Sequence, residues 1–249
     1  GSLALMTAVP NNHVMGQMNF PALALALGGL WATDRGWKAV GGGLLGAACM
    51  WKMSPALLVA WWLVRREWVA VAWACAMAAV LTLAAVPLVS LEHQVRFYTE
   101  VLPKFGSGDY NGLSVPIDLF GNHSIPNLWN ELSRSDDLSL TPLARGLSSL
   151  STLSLVAGLG WAFRRPDPDL LQTAAQVGAV GVVMLLLPVY TYEHHLVWAL
   201  PAAVAVALAV RDQRLGGRWV PLVALALVVL AYDLQDLKAL RNSLPRGPL

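Results

Sequence analysis

The chain has 249 residues, of which 56% are hydrophobic and 13% charged, with 17 Lys and Arg against 15 Asp and Glu for a net charge of +2. A soluble domain carries roughly 25% charged residues, so about half the usual charge is missing, which argues against a soluble globular class and for a polytopic helical membrane protein. Near-neutral charge without a basic tract gives nucleic-acid binding no support.

Gly1-Ser2 has the form of a cloning scar, and Leu3 to Pro10 reads as the tail of a membrane helix without its first half. The chain is therefore expected to be a single transmembrane domain, residues 1–249, from the C-terminal portion of a longer protein. A polar patch with Asn11-Asn12-His13 and Gly16-Gln17-Met18-Asn19 leads into an apolar helix from about Phe20 to Ala32. The run from Trp37 to Val64 is interrupted at Lys52-Met53-Ser54-Pro55, where proline removes a helical hydrogen bond and disfavours helix in the residue before it. As one helix it would be about 42 Å long at roughly 1.5 Å per residue; as a hairpin it would rise to Trp51 and fall from Pro55.

A clean span follows from about Trp68 to Val89, then the long polar region Ser90 to Thr141. In that region Ser124 is positioned to N-cap a short helix to Leu132, with Pro126 in its first turn. Further spans are expected at about Pro142 to Phe163, Leu170 to Leu187, Leu196 to Val210 and Val220 to Leu234. The fold class is all-α: a transmembrane bundle of about seven membrane segments, one of them a broken or re-entrant hairpin, with one long outer loop at about 90–141.

The hairpin reading places the loops with Arg35 and Lys38, Arg65 and Arg66, Arg164 and Arg165, and Arg211, Arg214 and Arg218 on one face, cytoplasmic by the positive-inside rule. The opposite face then gathers the Asn12 to Asn19 patch, Lys52, the long loop and Glu193-His194-His195. Cys49 and Cys75 lie in apolar runs and read as small hydrophobes, and Trp31, Trp51, Trp61, Trp62, Trp68 and Trp198 as interfacial anchors.

Ionisable groups beside hydrocarbon are costly unless they face water, a partner or a ligand, so Glu193, His194 and His195 are candidates for chemistry. Thr191 is positioned to cap a helix starting near Tyr192, whose N-terminus would attract an anion; a satisfied interfacial His-His pair is the bland alternative. Adjacent histidines lack the i, i+4 spacing of a helical metal site, so no metal and no cofactor is expected. Lys52 is either a phosphate binder or a snorkelling side chain. Gln17 and Asn19 either bond sugar hydroxyls or join helices, and Asn122 and Ser124 are candidate binding residues that also fit a turn and a cap.

Gly16-Gln17-Met18-Asn19 opening a helix, the small-residue helix Gly41 to Ala48 running into Lys52 and Pro55, Arg65-Arg66, Asn122-His123-Ser124-Ile125 and Glu193-His194-His195 together resemble the polyprenol-phosphate-mannose-dependent mannosyltransferases. These are a branch of the GT-C superfamily of integral-membrane glycosyltransferases, and the resemblance covers nearly the whole chain. It implies transfer of mannose or a related hexose from a polyprenyl-phosphate sugar to a lipid or glycan acceptor, at the outer face of the cytoplasmic membrane. Carried over position by position, it implies that Lys52 and one of His194 and His195 handle phosphate or acceptor, with Gln17 and Asn19 shaping the sugar pocket; the full candidate set is Glu193, His194 and His195 for catalysis and Lys52, Gln17, Asn19, Asn122, Ser124 and Tyr192 for substrate binding. His123 departs from the family's more frequent Gln, and the superfamily's acidic residue in the first outer loop is expected upstream of Gly1. The competing readings are a small-molecule or lipid transporter with a polar intramembrane cavity, and a structural assembly protein.

Overall fold

The computed structural model describes residues 18–107, 109–110, 113–114, 117, 122, 124–133, 140–164, 169–191, 193–212 and 214, without the side chains of 105–107, 109, 110, 113, 114, 193 and 194. Gln17, Tyr192, the Leu3 to Pro10 segment and the span expected at Val220 to Leu234 lie outside the described residues.

Among those described, the protein is helical apart from one small antiparallel pairing, β1 (Asp109–Tyr110) with β2 (Leu113–Ser114). The first helices are α1 (Asn19–Asp34), α2 (Lys38–Trp51), α3 (Ala56–Val64) and α4 (Trp68–Ala85). Polar and charged residues punctuate them: Asp34 to Trp37 separates α1 from α2, and Arg65 to Glu67 separates α3 from α4. Lys52, with φ −142° and ψ 130°, ends α2 in extended backbone, and Pro55 stands immediately before α3. The helix α4 stops at Ala85 rather than running to Val89: Val86 keeps helical angles, φ −56° and ψ −40°, but Pro87 has no N–H with which to continue the hydrogen-bond ladder.

Small residues set the helix spacing. A Cβ on Gly41 would lie 2.6 Å from Gly29 O, and one on Gly29 would lie 3.3 Å from Leu45 Cβ, so α1 and α2 run antiparallel in backbone contact. Gly42 faces Ala70 and Trp73, and Gly46 faces Ala74 and Met77, so α2 and α4 run parallel. In lipid, where burying apolar surface gives helices no special advantage, such close approach supplies the packing that holds them. Lys38 Nζ lies 2.8 Å from Glu67 Oε2. The start of α2 and the start of α4 are thus at one end, and the chain between them goes out along α2 and returns along α3. At about 1.5 Å per residue α2 is about 21 Å long and α3 about 14 Å, both short of a hydrocarbon core of about 30 Å.

The long region after α4 holds more helix than its polarity predicts. It contains α5 (Leu91–Arg96), which continues as a π-helical turn (Phe97–Val101) and a 3-10 turn (Leu102–Ser107), and later α6 (Ile125–Leu132). The expected cap of α6 is present: Asn127 N donates to Ser124 Oγ at 3.1 Å, with Pro126 in the first turn. Then come α7 (Pro142–Phe163) and α8 (Leu170–Leu186), capped by Thr141 and Asp169, a 3-10 segment (Glu193–Ala199) and α9 (Leu200–Arg211). Gly178 faces Ala202 and Gly181 faces Trp198, so α8 and its successors pack antiparallel.

Among the described residues two helices, α4 and α7, are long and apolar enough to cross a membrane, and only 11% of each apolar window is buried within the molecule. Their apolar surface faces outward, as it would towards lipid. The main core joins Ala22, Leu45, Leu58, Trp61, Trp62, Val180, Met184 and Trp198. Trp61, Trp62 and Trp198 are therefore core residues and not interfacial anchors; Trp61 Nε1 donates to Gln176 Oε1 at 3.0 Å, which provides the indole with a partner inside. Trp31, Trp51 and Trp68 do stand exposed. Both cysteines are free thiols, Cys49 half-buried and Cys75 exposed on α4.

Candidate functional site

The polar candidates gather at one end of the bundle. Asn19 opens α1 and Lys52 closes α2, and because these helices are antiparallel both residues lie at the end away from Lys38 and Glu67. Trp61, in the last turn of α3, bonds Gln176, in the second turn of α8, so the start of α8 lies towards the Arg65 end and its finish at Leu186 lies towards the Lys52 end. The 3-10 segment at Glu193 leaves from that finish and packs against α1.

A buried clamp joins the outer loop to the chain approaching Glu193. Asn122, 6% exposed, donates from Nδ2 to Ile117 O at 2.9 Å and to Val189 O at 2.8 Å. Its Oδ1 accepts from Thr191 N at 2.9 Å and from Ser124 N at 3.2 Å. Ser124 Oγ donates to Val189 O at 2.8 Å while accepting from Asn127 N, and Asn127 Nδ2 donates to Asn122 O at 2.8 Å. The amide of Asn122 and the hydroxyl of Ser124 therefore have their ordinary hydrogen-bonding capacity filled within the protein. Beneath the clamp a small core of Ile117, Leu140, Ala144 and Val189 joins the loop to the start of α7.

Thr191 departs from its expected role. Its hydroxyl donates to Leu185 O, closing the end of α8 rather than capping a helix ahead of it. The expected α-helix at Tyr192 is replaced by the seven-residue 3-10 segment, and α9 begins only at Leu200. Pro201 accounts for this. Deep inside an α-helix its ring would clash with the carbonyl four residues back, at Val197, whereas in the first turn of α9 its missing N–H costs nothing. The 3-10 turn carries three residues per turn, so the backbone positions of His194 and His195 are about 120° apart. His195 is half-buried. Sequence reading passed over Asn127 and Gln176; the spacing Ser124-x-x-Asn127 was the available signal for the first, and nothing marked the second within its apolar helix.

The opposite end is cationic and aromatic. Arg35 stacks over Trp31 at 5.2 Å, Arg65 over Trp61 at 5.3 Å and Arg164 over Trp161 at 5.1 Å. Asp169 accepts from the Arg214 guanidinium and from Gln172 N, and the arginine, with help from that backbone N–H, holds its carboxyl below the usual carboxylate range. Among the described residues no three His, Cys, Asp or Glu side chains converge on a metal position.

Two outward-facing helices of membrane length and helix packing through small residues are the features of a helical membrane protein. The profile of glycosyltransferase family 87 matches residues 2–188, three-quarters of the chain, and the chain belongs to that family. The matched stretch contains Gln17, Asn19, Lys52, Asn122 and Ser124, while Tyr192 to His195 lie just beyond it. No curated protein and no solved structure matches the chain.

Proposed function

We propose that the protein is a multi-pass enzyme of the cytoplasmic membrane that transfers mannose, or a related hexose, from a polyprenyl-phosphate sugar to a hydroxyl of a lipid or glycan acceptor at the outer face. The observation that carries this reading is the family match combined with the meeting of Asn19, Lys52, the Asn122 clamp and the Glu193 segment at the end away from the arginine-bearing turns. By the positive-inside rule, that end is the outer one.

In the reaction the acceptor oxygen forms a bond to the anomeric carbon as the bond from that carbon to the phosphate oxygen breaks. The polyprenyl phosphate leaves with the electron pair, and the acceptor proton passes to a base. A phosphate leaving group already carries charge, so fixed cations and donors do much of the stabilising. Lys52 is assigned to the phosphate, Glu193 and one of His194 and His195 to the acceptor proton, and Gln17 and Tyr192 to the sugar, with Asn19, fully buried at the start of α1, shaping the sugar pocket from within the bundle. Asn122 and Ser124 act by holding Val189 to Thr191 in place, since their own polar atoms are already engaged.

The test is mannose transfer from polyprenyl-phosphate-mannose by membranes containing the protein. Lys52→Ala and the more important of His194→Ala and His195→Ala are expected to lower transfer by about 100-fold, a typical loss for a positioned acid-base or charge-stabilising group. Normal transfer by all three folded variants would overturn the site. Direct use of a nucleotide sugar in preference to the polyprenyl donor would overturn the substrate.

A further inference from the structure

We infer that the junction between α4 and the α5 segment is a binding site for an anionic phospholipid, seating its phosphate on Arg96 and Lys104 and one of its chains beside α2 and α4. A groove of about 770 Å³ opens there. Its floor is apolar, built from Met50 of α2 and Ala85 and Val89 at the end of α4, and its wall is polar, carrying His93, Arg96 and Lys104 with one carboxylate, Glu100.

The location decides what fills it. The 18 residues of α4 span about 27 Å at 1.5 Å per residue, enough to bring Ala85 to the boundary between hydrocarbon and headgroups. This placement holds whichever side of the membrane that end faces. The apolar surface of α4, with Val80 and Leu83 exposed, continues without interruption into Leu88, Val89 and Leu91, which are also exposed. Phe97 and Tyr98 form an edge-to-face pair with centroids 5.3 Å apart, the residue types that settle at membrane interfaces. An apolar floor beside lipid-facing helix and a rim with two exposed cations against one anion complement a molecule with an apolar chain and an anionic head. Arg96 already meets Glu100 at 2.9 Å, and a phosphate arriving beside Lys104 would share the guanidinium, whose several donors bond more than one oxygen. Two cations make a site for one headgroup, not the broad polybasic surface that gathers many.

This inference does not rest on the transferase reading, because it is read by lipid binding alone. The protein, purified in detergent, is incubated with phosphatidylglycerol or with phosphatidylcholine of the same chains, and retained lipid is counted by native mass spectrometry. Wild type is expected to retain phosphatidylglycerol at least about tenfold better, given the usual attraction of each interfacial Lys or Arg for anionic lipid. Arg96→Gln with Lys104→Gln should abolish the preference, and Ala85→Trp, which fills the floor and leaves the cations, should lower retention of both lipids. Arg35→Gln, at the opposite end, should change nothing. Equal retention of the two lipids, or a preference unmoved by the paired glutamines, overturns the proposal. So does competition by inorganic phosphate as strong as by phosphatidylglycerol, or displacement by polyprenyl phosphate at equal concentration, which would make the groove part of the donor site.

Discussion

Asn122 shows how one side chain can fix a site without being free to bind anything in it. Of its two donated and two accepted hydrogen bonds, one of each ties the outer loop to Val189 and Thr191 across almost seventy residues of sequence, and the other two hold the loop locally at Ile117 and Ser124. Removing one partner of a buried hydrogen bond costs about 1–3 kcal/mol for the group left unsatisfied, and Asn122→Ala takes the amide partner from both Ile117 O and Thr191 N, while Val189 O keeps Ser124 Oγ. We expect this variant to lose about 2–4 kcal/mol of stability, visible as a lowered Tm, and to lose transfer activity with the donor KM little changed at permissive temperature. A variant with unaltered Tm would show the clamp to be dispensable. Residue types and their order were legible in the sequence here: the Asn-His-Ser tripeptide, the cap at Ser124 and Lys52 beside a helix break all stand where chain order alone placed them. The bonding was not legible, because a buried amide and a ligand-binding amide have the same one-letter code and differ only in which backbone groups the fold brings within 3 Å. Thr191 was misread for a related reason: a threonine before an apolar run signals a cap, but Pro188 and Pro201 together leave no room for an α-helix that begins at Tyr192.

The helical hairpin α8 and α9 shows the same economy at the scale of an element. Its open end is closed by Asp169 and Arg214, with Asp169 also capping α8. The carboxyl is held below its usual value by the guanidinium, so the contribution of this closure is fully present above the unfolded carboxylate pKa of about 3.9 and is lost as pH falls through the lower folded value. Amide protection over Leu170 to Thr173, taken relative to the intrinsic exchange rate at each pH, should therefore fall on acidification below about pH 4, and Asp169→Asn should show the lower protection already at neutral pH with little further response to acid. At the other pairing, Gly46→Leu pushes a side chain into the Ala74 backbone, where the added Cβ alone would sit 3.0 Å from Ala74 Cα. We expect overpacking to cost about 1–3 kcal/mol or more, whereas Gly158→Leu, whose Cβ position faces open space, should be tolerated. Helix ends were largely readable because charges and Pro55 punctuate the apolar runs; Pro142–Phe163 emerged with the bounds its sequence suggests, while the span expected to reach Val89 stops at Ala85. The helical turns from Leu91 to Ser107 were missed, since Leu91, Val95, Phe97 and Tyr98 are exposed and give no periodic buried stripe.

For the whole molecule, the decisive feature is that the chain between Lys38 and Glu67 returns to its starting end. The Lys38–Glu67 ion pair and the parallel register of α2 with α4 place Met53 and Leu88 at one end, while Asp34 and the Asp212 turn lie at the other. The tryptophan-arginine stacks that finish α1, α3 and α7 mark the latter end as an interface rich in positive charge, which fits the cytoplasmic side. This orientation is open to direct measurement. In a background with Cys49→Ala and Cys75→Ala, single substitutions Met53→Cys, Leu88→Cys, Asp34→Cys and Asp212→Cys are treated on intact cells with a membrane-impermeant maleimide. Met53→Cys and Leu88→Cys should react at once, and the other two only after the membrane is permeabilised. If Met53→Cys and Leu88→Cys divided between the two sides, the α2–α3 segment would be a single crossing, and Lys52 would stand apart from the outer loop. If all four sites exchanged sides together, the bundle would be intact but inverted, and a donor presented at the outer face would never meet Lys52 or the histidines. A transferase acting outside the cytoplasm therefore requires the same labelling pattern that the return of α3 and the distribution of arginines predict.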